Sequence, residues 1–231
     1  TPIDMRHAVA VLNVGHNVRP GLPWTSINAD GWLARCTSSE TPLPAGCSQA
    51  NPIAALMAAS LGVTEVFKRV YQVPADVAPP CEIVEFSLYE LSTTPSGVGP
   101  ELPEVIDLPD TVLIGAGAIG NGLVLLLSQL QLRGRLHIID KQAFGDENLG
   151  TCCLLDDIAW LLQPKAEQMA AWLDVRSGLA VTGERAYVED ARAGAHVKGM
   201  AVELVLNGLD DVQARHDAQM MWPSIMVDGG I

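Results

Sequence analysis

The chain has 231 residues, of which 48% are hydrophobic and 18% charged, so it can form one large domain or two small ones with an apolar core. Its formal net charge of −13 excludes a protein that wraps nucleic acid, because that function needs Lys and Arg against the phosphates. The five cysteines form no Cys-x-x-Cys pair, which favours reduced thiols over a disulfide framework or a structural zinc site. We therefore expect a cytoplasmic protein without a signal peptide or a membrane span.

Residues 1–72 are predicted to form a small N-terminal α+β segment. The apolar residues 8–14 indicate a strand, and the alternating pattern around residues 27–36 indicates a short pair of strands. Residues 51–71 are typical of a helix that is capped by its first asparagine, has proline in its first turn and ends in a Lys–Arg pair.

Residues 73–109 are rich in proline and are interpreted as a connector along the surface, with one strand candidate at residues 83–91. Residues 110–231 follow a different rhythm, in which continuous apolar strands alternate with helices. This rhythm predicts an α/β fold: a doubly wound, mostly parallel, Rossmann-like sheet with helices on both faces. We expect its strands at residues 111–115, 135–140, 180–188, 202–207 and 225–228, and its helices at residues 118–132, 165–177 and 212–222.

A glycine-rich turn follows the first of these strands and opens the first helix. Gly115 permits a tight turn, Gly117 allows a pyrophosphate to approach the backbone, and Gly120 allows the helix to pack closely on the strand. Free N–H groups and the helix dipole then attract phosphate. Asp140 ends the second strand, where an acidic side chain can bind ribose hydroxyls. The pattern indicates a nucleotide site but does not distinguish ATP from NAD.

Five motifs in this region together resemble the ThiF/MoeB/HesA family, the bacterial relatives of ubiquitin-activating enzymes. In chain order they are the glycine motif at residues 115–120, Ile-Ile-Asp at 138–140, Glu-Asn-Leu-Gly at 147–150, Gln-Pro-Lys at 163–165, and Leu-Val-Leu-Asn-Gly-Leu-Asp-Asp at 204–211 followed by Arg215. The resemblance implies adenylation, in which the C-terminal carboxylate of a small ubiquitin-like or sulfur-carrier protein attacks the α-phosphate of ATP. It also implies Mg²⁺ on the phosphates and a homodimer or pseudo-dimer.

The resemblance also implies roles for single residues. The catalytic candidates are Asn148 and Lys165, which would face the phosphates, and Asp210, which would bind the metal. The cofactor-binding candidates are Gly115, Gly117, Ile119, Gly120, Asp140, Lys141 and Arg215. Simpler interpretations remain open for several of them: Asp140 as a solvated aspartate at a strand end, Asn148 as a turn residue, Asp210 as a helix cap, and Arg215 as an exposed helix residue.

One departure from the family pattern concerns an arginine. The family has an arginine shortly after the Asn-Leu pair, whereas residues 150–153 here read Gly-Thr-Cys-Cys. Loss of a charge-stabilising contact of this kind costs about 10²–10³ in rate. Either Arg19, Arg35 or another subunit supplies the charge, or the protein binds nucleotide with weak catalysis. An NAD(P)-dependent oxidoreductase is a third possibility, although it gives no role to Asn148, Lys165 or Asp210.

The first segment has a looser likeness to the closing strand and helix of an activating-enzyme domain. We expect it either to complete the main sheet or to belong to a degenerate partner half. In both cases the apolar face of residues 52–66 has to be buried.

Overall fold

The computed structural model describes residues 8–19, 21–45, 48–155, 158–189 and 201–229. The chain divides into two compact units, Thr1–Leu102 and Pro103–Ile231. Each unit has its own sheet, and each is described by itself below. In the part of the chain that the structure describes, no helix has the length and apolar composition needed to cross a membrane.

The first unit is built on a four-stranded sheet in the order β1-β2-β3-β4. Its strands are β1 (Val11–Val14), β2 (Trp24–Asp30), β3 (Leu33–Thr37) and β4 (Val84–Ser87). Strands β1 and β2 are parallel, whereas β2–β3 and β3–β4 are antiparallel. The predicted strand pair around residues 27–36 is therefore the β2–β3 hairpin, which turns at Gly31 with a φ of 54°.

Helix α1 (Pro52–Val70) covers one face of this sheet, and its start agrees with the sequence prediction. The Asn51 side chain accepts a hydrogen bond from the Ile53 N–H, and proline occupies the first turn. A Cβ placed on Gly62 would lie 2.7 Å from side-chain atoms of Ile27 and Leu12, so the helix backbone lies directly on β1 and β2. This close contact explains a glycine in the middle of a helix.

The proline-rich stretch 73–109 is shared between the two units, and two of its segments are regular structure. Residues 84–87 form β4 and pair with β3, and β5 (Ile106–Ile114) begins three residues before the end of the predicted connector. Strand β4 lies within the strand candidate at residues 83–91, whereas residues 106–109 of β5 fall within the predicted connector. Pro109 lies within this missed part of β5, where the register with the next strand shifts between Leu108 and Thr111.

The second unit is a five-stranded, fully parallel sheet in the order β7-β6-β5-β8-β9. The strands that follow β5 are β6 (Leu132–Ile139), β7 (Leu179–Glu184), β8 (Leu204–Asn207) and β9 (Ile225–Asp228). The helices are α2 (Ala118–Leu127), α3 (Lys165–Asp174) and α4 (Val212–Gln219). This is the doubly wound, Rossmann-like arrangement that the sequence predicts.

Apolar clusters on the two faces of this sheet show that helices cover both. On one face, Leu113 and Ile138 pack with Val124 of α2 and Met169 of α3. On the other, Val112, Ile139 and Val205 pack with Ala218 of α4. Helices α2, α3 and α4 each end three to five residues before their predicted ends, whereas β9 has the predicted bounds.

Candidate functional site

The strand order of the second unit reverses between β5 and β8, and the polar loops of the site follow the carboxyl ends of these strands. From β5 the chain continues to β6 and β7 on one side of β5 within the sheet, and then to β8 and β9 on its other side. In open parallel sheets the crevice at such a point is where ligands bind. The predicted site residues follow the carboxyl ends of β5, β6 and β8 or lie on the helices that these loops lead into.

Gly115 and Gly120 have the turn and packing roles that the motif predicts, and Gly117 adjoins open space. Gly115 has a φ of 91°, a left-handed conformation that favours glycine. A Cβ on Gly120 would lie 2.1 Å from the Gly115 carbonyl oxygen, so no other residue fits there. A Cβ on Gly117 would meet nothing within 4 Å, and Gly117 caps α2 without a side-chain hydrogen bond. The first N–H groups of α2 therefore adjoin open space, as a phosphate requires.

Two polar side chains hold the loop in this shape. The Asn121 side chain, fully buried on α2, donates to the carbonyl oxygens of Ala116 (2.9 Å) and Gly117 (3.0 Å). Its Oδ1 accepts from the Leu154 N–H at 3.3 Å. Asp140 accepts from the Ala116 N–H and from the Gln142 N–H, both at 2.7 Å. Asp140 thus ties β6 to the glycine loop, a contact that the ribose-binding prediction did not include.

A cavity of about 230 Å³ opens beside Asp140 at this edge of the sheet. Its floor is apolar and is formed by the last residues of β5 and β6, Ile114 and Ile139. Polar groups stand around it, and three predicted site residues, Asp140, Lys141 and Asp210, are among them. The remaining lining residues are Gln142, Ala186, Tyr187, Val188, Glu189, Leu209, Asp211, Gln213 and Ala214. Seven of the fourteen lining residues are polar or charged and four of these are acidic, so the cavity combines an apolar floor with a polar surround.

Lys165 begins α3 and is 3% exposed. Its Nζ donates to the side-chain oxygen of Gln142 at 2.9 Å and lies 6.0 Å from the centre of the Phe144 ring. The Lys165 N–H also bonds the Gln142 carbonyl at 3.0 Å, so the start of α3 is fixed to the loop after β6. Among the residues that the structure describes, no carboxylate lies within ion-pair distance of this ammonium.

Asn148 ends a 3₁₀ helix, Asp146–Asn148, and is 9% exposed. Its Oδ1 accepts from the Gly145 N–H at 2.9 Å, and its carbonyl accepts from the N–H groups of Thr151 and Cys152. The side chain thus closes its own turn, as the simpler interpretation expects. Asn148 is not among the residues lining the cavity.

Asp210 is exposed, whereas the Arg215 side chain is held by a hydrogen-bonded ion pair. Asp211, not Asp210, caps α4, because its Oδ1 accepts from the Ala214 N–H at 2.7 Å. Asp210 is exposed at the rim of the cavity. Arg215 donates from Nε to Asp228 at 2.8 Å and so joins α4 to the end of β9. Ile119 reaches the same region, since a Cβ on Gly208 or Gly229 would lie 3.3–3.4 Å from its Cγ2.

The thiols beside this site have raised pKa values. Burial raises the pKa of Cys152. The nearby charges of Asp140 and Glu147 raise it further, whereas the charge of Lys165 lowers it. Burial also raises the pKa of the Cys153 thiol. A raised pKa leaves little thiolate at neutral pH, so neither cysteine has the environment of a nucleophile.

The sequence missed several residues that shape this edge. Asn121 had a visible signal, because it is a lone amide in an otherwise apolar helix. Gln142 and Tyr187 had none, since they lie in loops whose path only the folded chain defines.

Lys141 extends over the Tyr187 ring at 5.2 Å, and Arg185 donates to the Lys141 carbonyl at 2.9 Å. The candidate arginines Arg19 and Arg35 belong to the first unit, where Arg19 stacks on Trp24 and Arg35 pairs with Glu85.

Comparison with known proteins gives one relative in sequence and several in structure. The Sinorhizobium fredii protein y4jF is 33% identical over 134 residues, a match that covers 57% of this chain and 25% of y4jF. No family model matches the chain. Escherichia coli tRNA N6-threonylcarbamoyladenosine dehydratase, TcdA, in complex with ATP superposes with a TM-score of 0.40 and 20% identity over 47% of this chain and 44% of its own.

Escherichia coli MccB with ATP superposes with a TM-score of 0.34 and 21% identity, over 45% of this chain and 30% of its own. Each of these superpositions thus covers less than half of either protein. At such scores they carry no argument about activity. The assignment of the site therefore depends on the geometry of the second unit.

Proposed function

We propose that the second unit binds ATP at the carboxyl edge of its sheet and adenylates the C-terminal carboxylate of a small ubiquitin-like or sulfur-carrier protein. The glycine loop supports a phosphate site through the open space at Gly117 and the uncapped start of α2. The cavity beside Asp140 has room for part of a nucleoside on an apolar floor. The family resemblance of the five motifs supports ATP over other nucleotides.

The observation that carries this proposal is the buried ammonium of Lys165. Removing an ammonium from water costs several kcal/mol unless an opposite charge or several hydrogen bonds compensate. The partners that the structure describes for Lys165 Nζ are a neutral amide and an aromatic ring. An anionic ligand would supply the missing charge. Lys165 reaches this edge through Gln142, which itself lines the cavity.

In this proposal the carboxylate of the carrier protein attacks the α-phosphorus of ATP. The bond to the bridging oxygen breaks, pyrophosphate leaves, and an acyl adenylate forms. Negative charge that grows on the phosphate oxygens requires N–H donors and a cation near the reacting phosphorus. The first N–H groups of α2 and the Lys165 ammonium are the groups assigned to this role. Asn121 and Asp140 act as positioning residues, because they hold the loop that presents the N–H groups.

Asp210 is the residue assigned to a magnesium ion. Its carboxylate stands exposed at the rim of the cavity and is not used as the cap of α4. Mg²⁺ is commonly held by one or two carboxylates together with substrate phosphates, so a single aspartate fits this ion. When bound, the ion would neutralise charge on the departing pyrophosphate. Among the described residues, no group of three or more His, Cys, Asp or Glu forms a closed metal site.

The missing arginine defines the main alternative, a nucleotide-binding protein with weak catalysis. Arg35 is 7% exposed and pairs with Glu85, so its guanidinium is already used in the first unit. Lys141 and Arg185 bring positive charge to the edge of the second unit. The other arrangement that we propose is a homodimer, in which a second copy supplies the missing arginine.

Binding is tested first, with the charge of Lys165 as the variable. In Lys165→Met the apolar stem still fills its buried place, and only the ammonium is lost. We expect the ATP dissociation constant in the presence of Mg²⁺, measured by calorimetry, to rise at least about tenfold. Cys153→Ala is the matched control and should bind as the wild type does. Unchanged ATP binding by Lys165→Met would overturn the assignment, as would thermal stabilisation by NADH and not by ATP.

Catalysis is tested separately by ATP–pyrophosphate exchange with candidate carrier proteins. We expect exchange that depends on the carrier's C-terminal carboxylate and on Asp210, so Asp210→Asn should lower it about 10²-fold or more. Tight ATP binding without any exchange would favour the binding-protein alternative. An exchange rate per protein molecule that rises with protein concentration would support an arginine from a second copy.

A further inference from the structure

The first unit contains a pair of thiols that the proposed nucleotide site does not involve. Cys36 lies on β3 and is 1% exposed, and half-buried Cys81 lies in the loop before β4. Their sulfur atoms are 3.5 Å apart although the residues are 45 positions apart in sequence. The sequence predicted unlinked, reduced thiols and did not indicate that any two would meet. Cys47 lies outside the described residues.

The main chain around Cys81 is fixed on both sides of the residue. Its N–H donates to Glu65 at 3.0 Å, and its carbonyl accepts from the Ser38 N–H at 2.9 Å. Glu65 is held in turn by Ser38 and Lys68. The thiol pair is thus a defined feature of the fold and does not depend on a loose loop. The two sulfurs lie in the apolar cluster between the sheet and α1, with Ala34 and Ala58.

The two thiols differ in reactivity. The hydrogen bond from the Cys36 thiol lowers the pKa of Cys81 to about 7, against the opposing effects of burial and of the Glu65 charge. The same hydrogen bond and burial raise the pKa of Cys36. A thiol with a pKa near the ambient pH combines thiolate population with nucleophilicity. Solvent also reaches the two thiols differently, because Cys81 is half-buried and Cys36 is 1% exposed. We therefore assign Cys81 as the attacking thiol and Cys36 as the thiol that resolves the product.

We propose that Cys36 and Cys81 form a reversible redox site, oxidised to an intramolecular disulfide by hydrogen peroxide and restored by a dithiol reductant. The Cys81 thiolate attacks one peroxide oxygen, the O–O bond breaks, and a sulfenic acid and hydroxide form. The Cys36 sulfur then attacks the Cys81 sulfur, and the sulfenic oxygen leaves as water. Overall two thiols lose two protons and two electrons, and the peroxide becomes two molecules of water.

This chemistry has a structural consequence for the first unit. The disulfide would close a loop that contains α1 and would join β3 to the segment before β4. Closing a long loop restricts the unfolded chain, which stabilises the folded state. We expect the Tm of the oxidised protein to exceed that of the reduced protein by roughly 10 °C. The inference does not depend on the proposed adenylation.

The test uses the full chain, reduced, freed of reductant and then treated with hydrogen peroxide. Mass spectrometry of the digested protein should show the Cys36 peptide linked to the Cys81 peptide, with loss of two hydrogen atoms and recovery in dithiothreitol. Cys153→Ser is the matched control and should form the same link. Cys81→Ser should leave Cys36 as a free thiol, unmodified in the native protein.

Several outcomes would overturn the proposal. One is a Cys36–Cys81 pair that stays reduced at a peroxide dose that oxidises exposed Cys153. Another is oxidation of Cys81 to sulfinic acid without a link to Cys36. A lower Tm after oxidation would show that the native fold does not accommodate the bond. Stoichiometric zinc in the purified protein, released only by chelators, would assign the pair to metal binding.

Discussion

Among the residues that the structure describes, each unit buries one lysine or arginine, and the surroundings of these two side chains differ. In the first unit, Arg35 is 7% exposed on β3 and forms an ion pair with Glu85 of the neighbouring strand. In the second, Lys165 is 3% exposed at the start of α3, and its described partners are the amide of Gln142 and the ring of Phe144. Arg35 is therefore balanced by a carboxylate of the fold, whereas Lys165 is not balanced by any carboxylate among the described residues.

The physical reason is the desolvation cost of a buried charge. A buried ion pair roughly offsets that cost through its own attraction, whereas a single buried ion does not. The arrangement around Arg35 can therefore persist for stability alone. A buried ammonium without an ion pair is expected to cost stability, and in the proposed function a bound anion would supply the missing charge.

The largest effect that we expect concerns the close packing of the second unit. Gly120→Ala places a methyl group 2.1 Å from a backbone oxygen that cannot move without breaking the glycine loop. We expect the free energy of unfolding of this unit to fall by about 3 kcal/mol. Gly117→Ala meets nothing and should change it by less than about 0.5 kcal/mol. Urea unfolding of both variants, monitored by hydrogen exchange, measures these free energies. Equal losses in the two variants would contradict this account of the loop.

The ion pair of the first unit should give the next largest effect. Glu85→Ala leaves the Arg35 guanidinium buried without its carboxylate, and Glu85 itself is partly exposed. We expect a loss of about 2 kcal/mol, below the usual range for a fully buried pair. Glu101→Ala, an exposed acidic residue of the same unit, is the control and should be nearly neutral. A neutral Glu85→Ala would remove the contrast between the units.

Acid should weaken the first unit through Glu65. Burial alone would raise the pKa of this carboxyl, but hydrogen bonds from Lys68, the Cys81 N–H and Ser38 lower it below its ordinary 4.5. A carboxyl whose pKa is lower in the folded state contributes stability above its unfolded pKa and loses it as the pH falls through the folded value. We expect urea midpoints to fall below about pH 4.5. Glu65→Gln should flatten that decline, and an identical decline in both proteins would contradict the assignment.

The smallest effect on stability is expected at Lys165, where loss of the charge should not lower the free energy of unfolding. Lys165→Met removes a buried charge while its side chain keeps a similar length and apolar stem. We expect the free energy of unfolding to stay unchanged or to rise by about 1 kcal/mol. Arg35→Met in the first unit should instead destabilise, because Glu85 loses its partner. A loss above about 2 kcal/mol in Lys165→Met would show that the ammonium is part of the fold.

Much of the second unit could be predicted because its signals are local. A continuous apolar run predicts a buried parallel strand, and the glycine spacing predicts the turn into α2 wherever the rest of the chain goes. Helix ends were less accurate, because the last turn depends on contacts made after the fold forms. The strand candidate at residues 83–91 contained β4, but the first residues of β5 were missed beside prolines, because the strands that pair with β5 are far away in sequence.

The sequence by itself determined the α/β class of the second unit, the glycine-rich turn into α2 and the set of residues that the family resemblance names. Only the tertiary structure decided which residues meet. It brings Asp140, Lys141 and Asp210 around one cavity, and it places Arg215 against Asp228 and Cys36 against Cys81. It also showed that Lys165 is buried without an ion pair among the described residues. Backbone turns follow from a few adjacent residues, whereas burial and charge pairing arise from residues that only folding brings together.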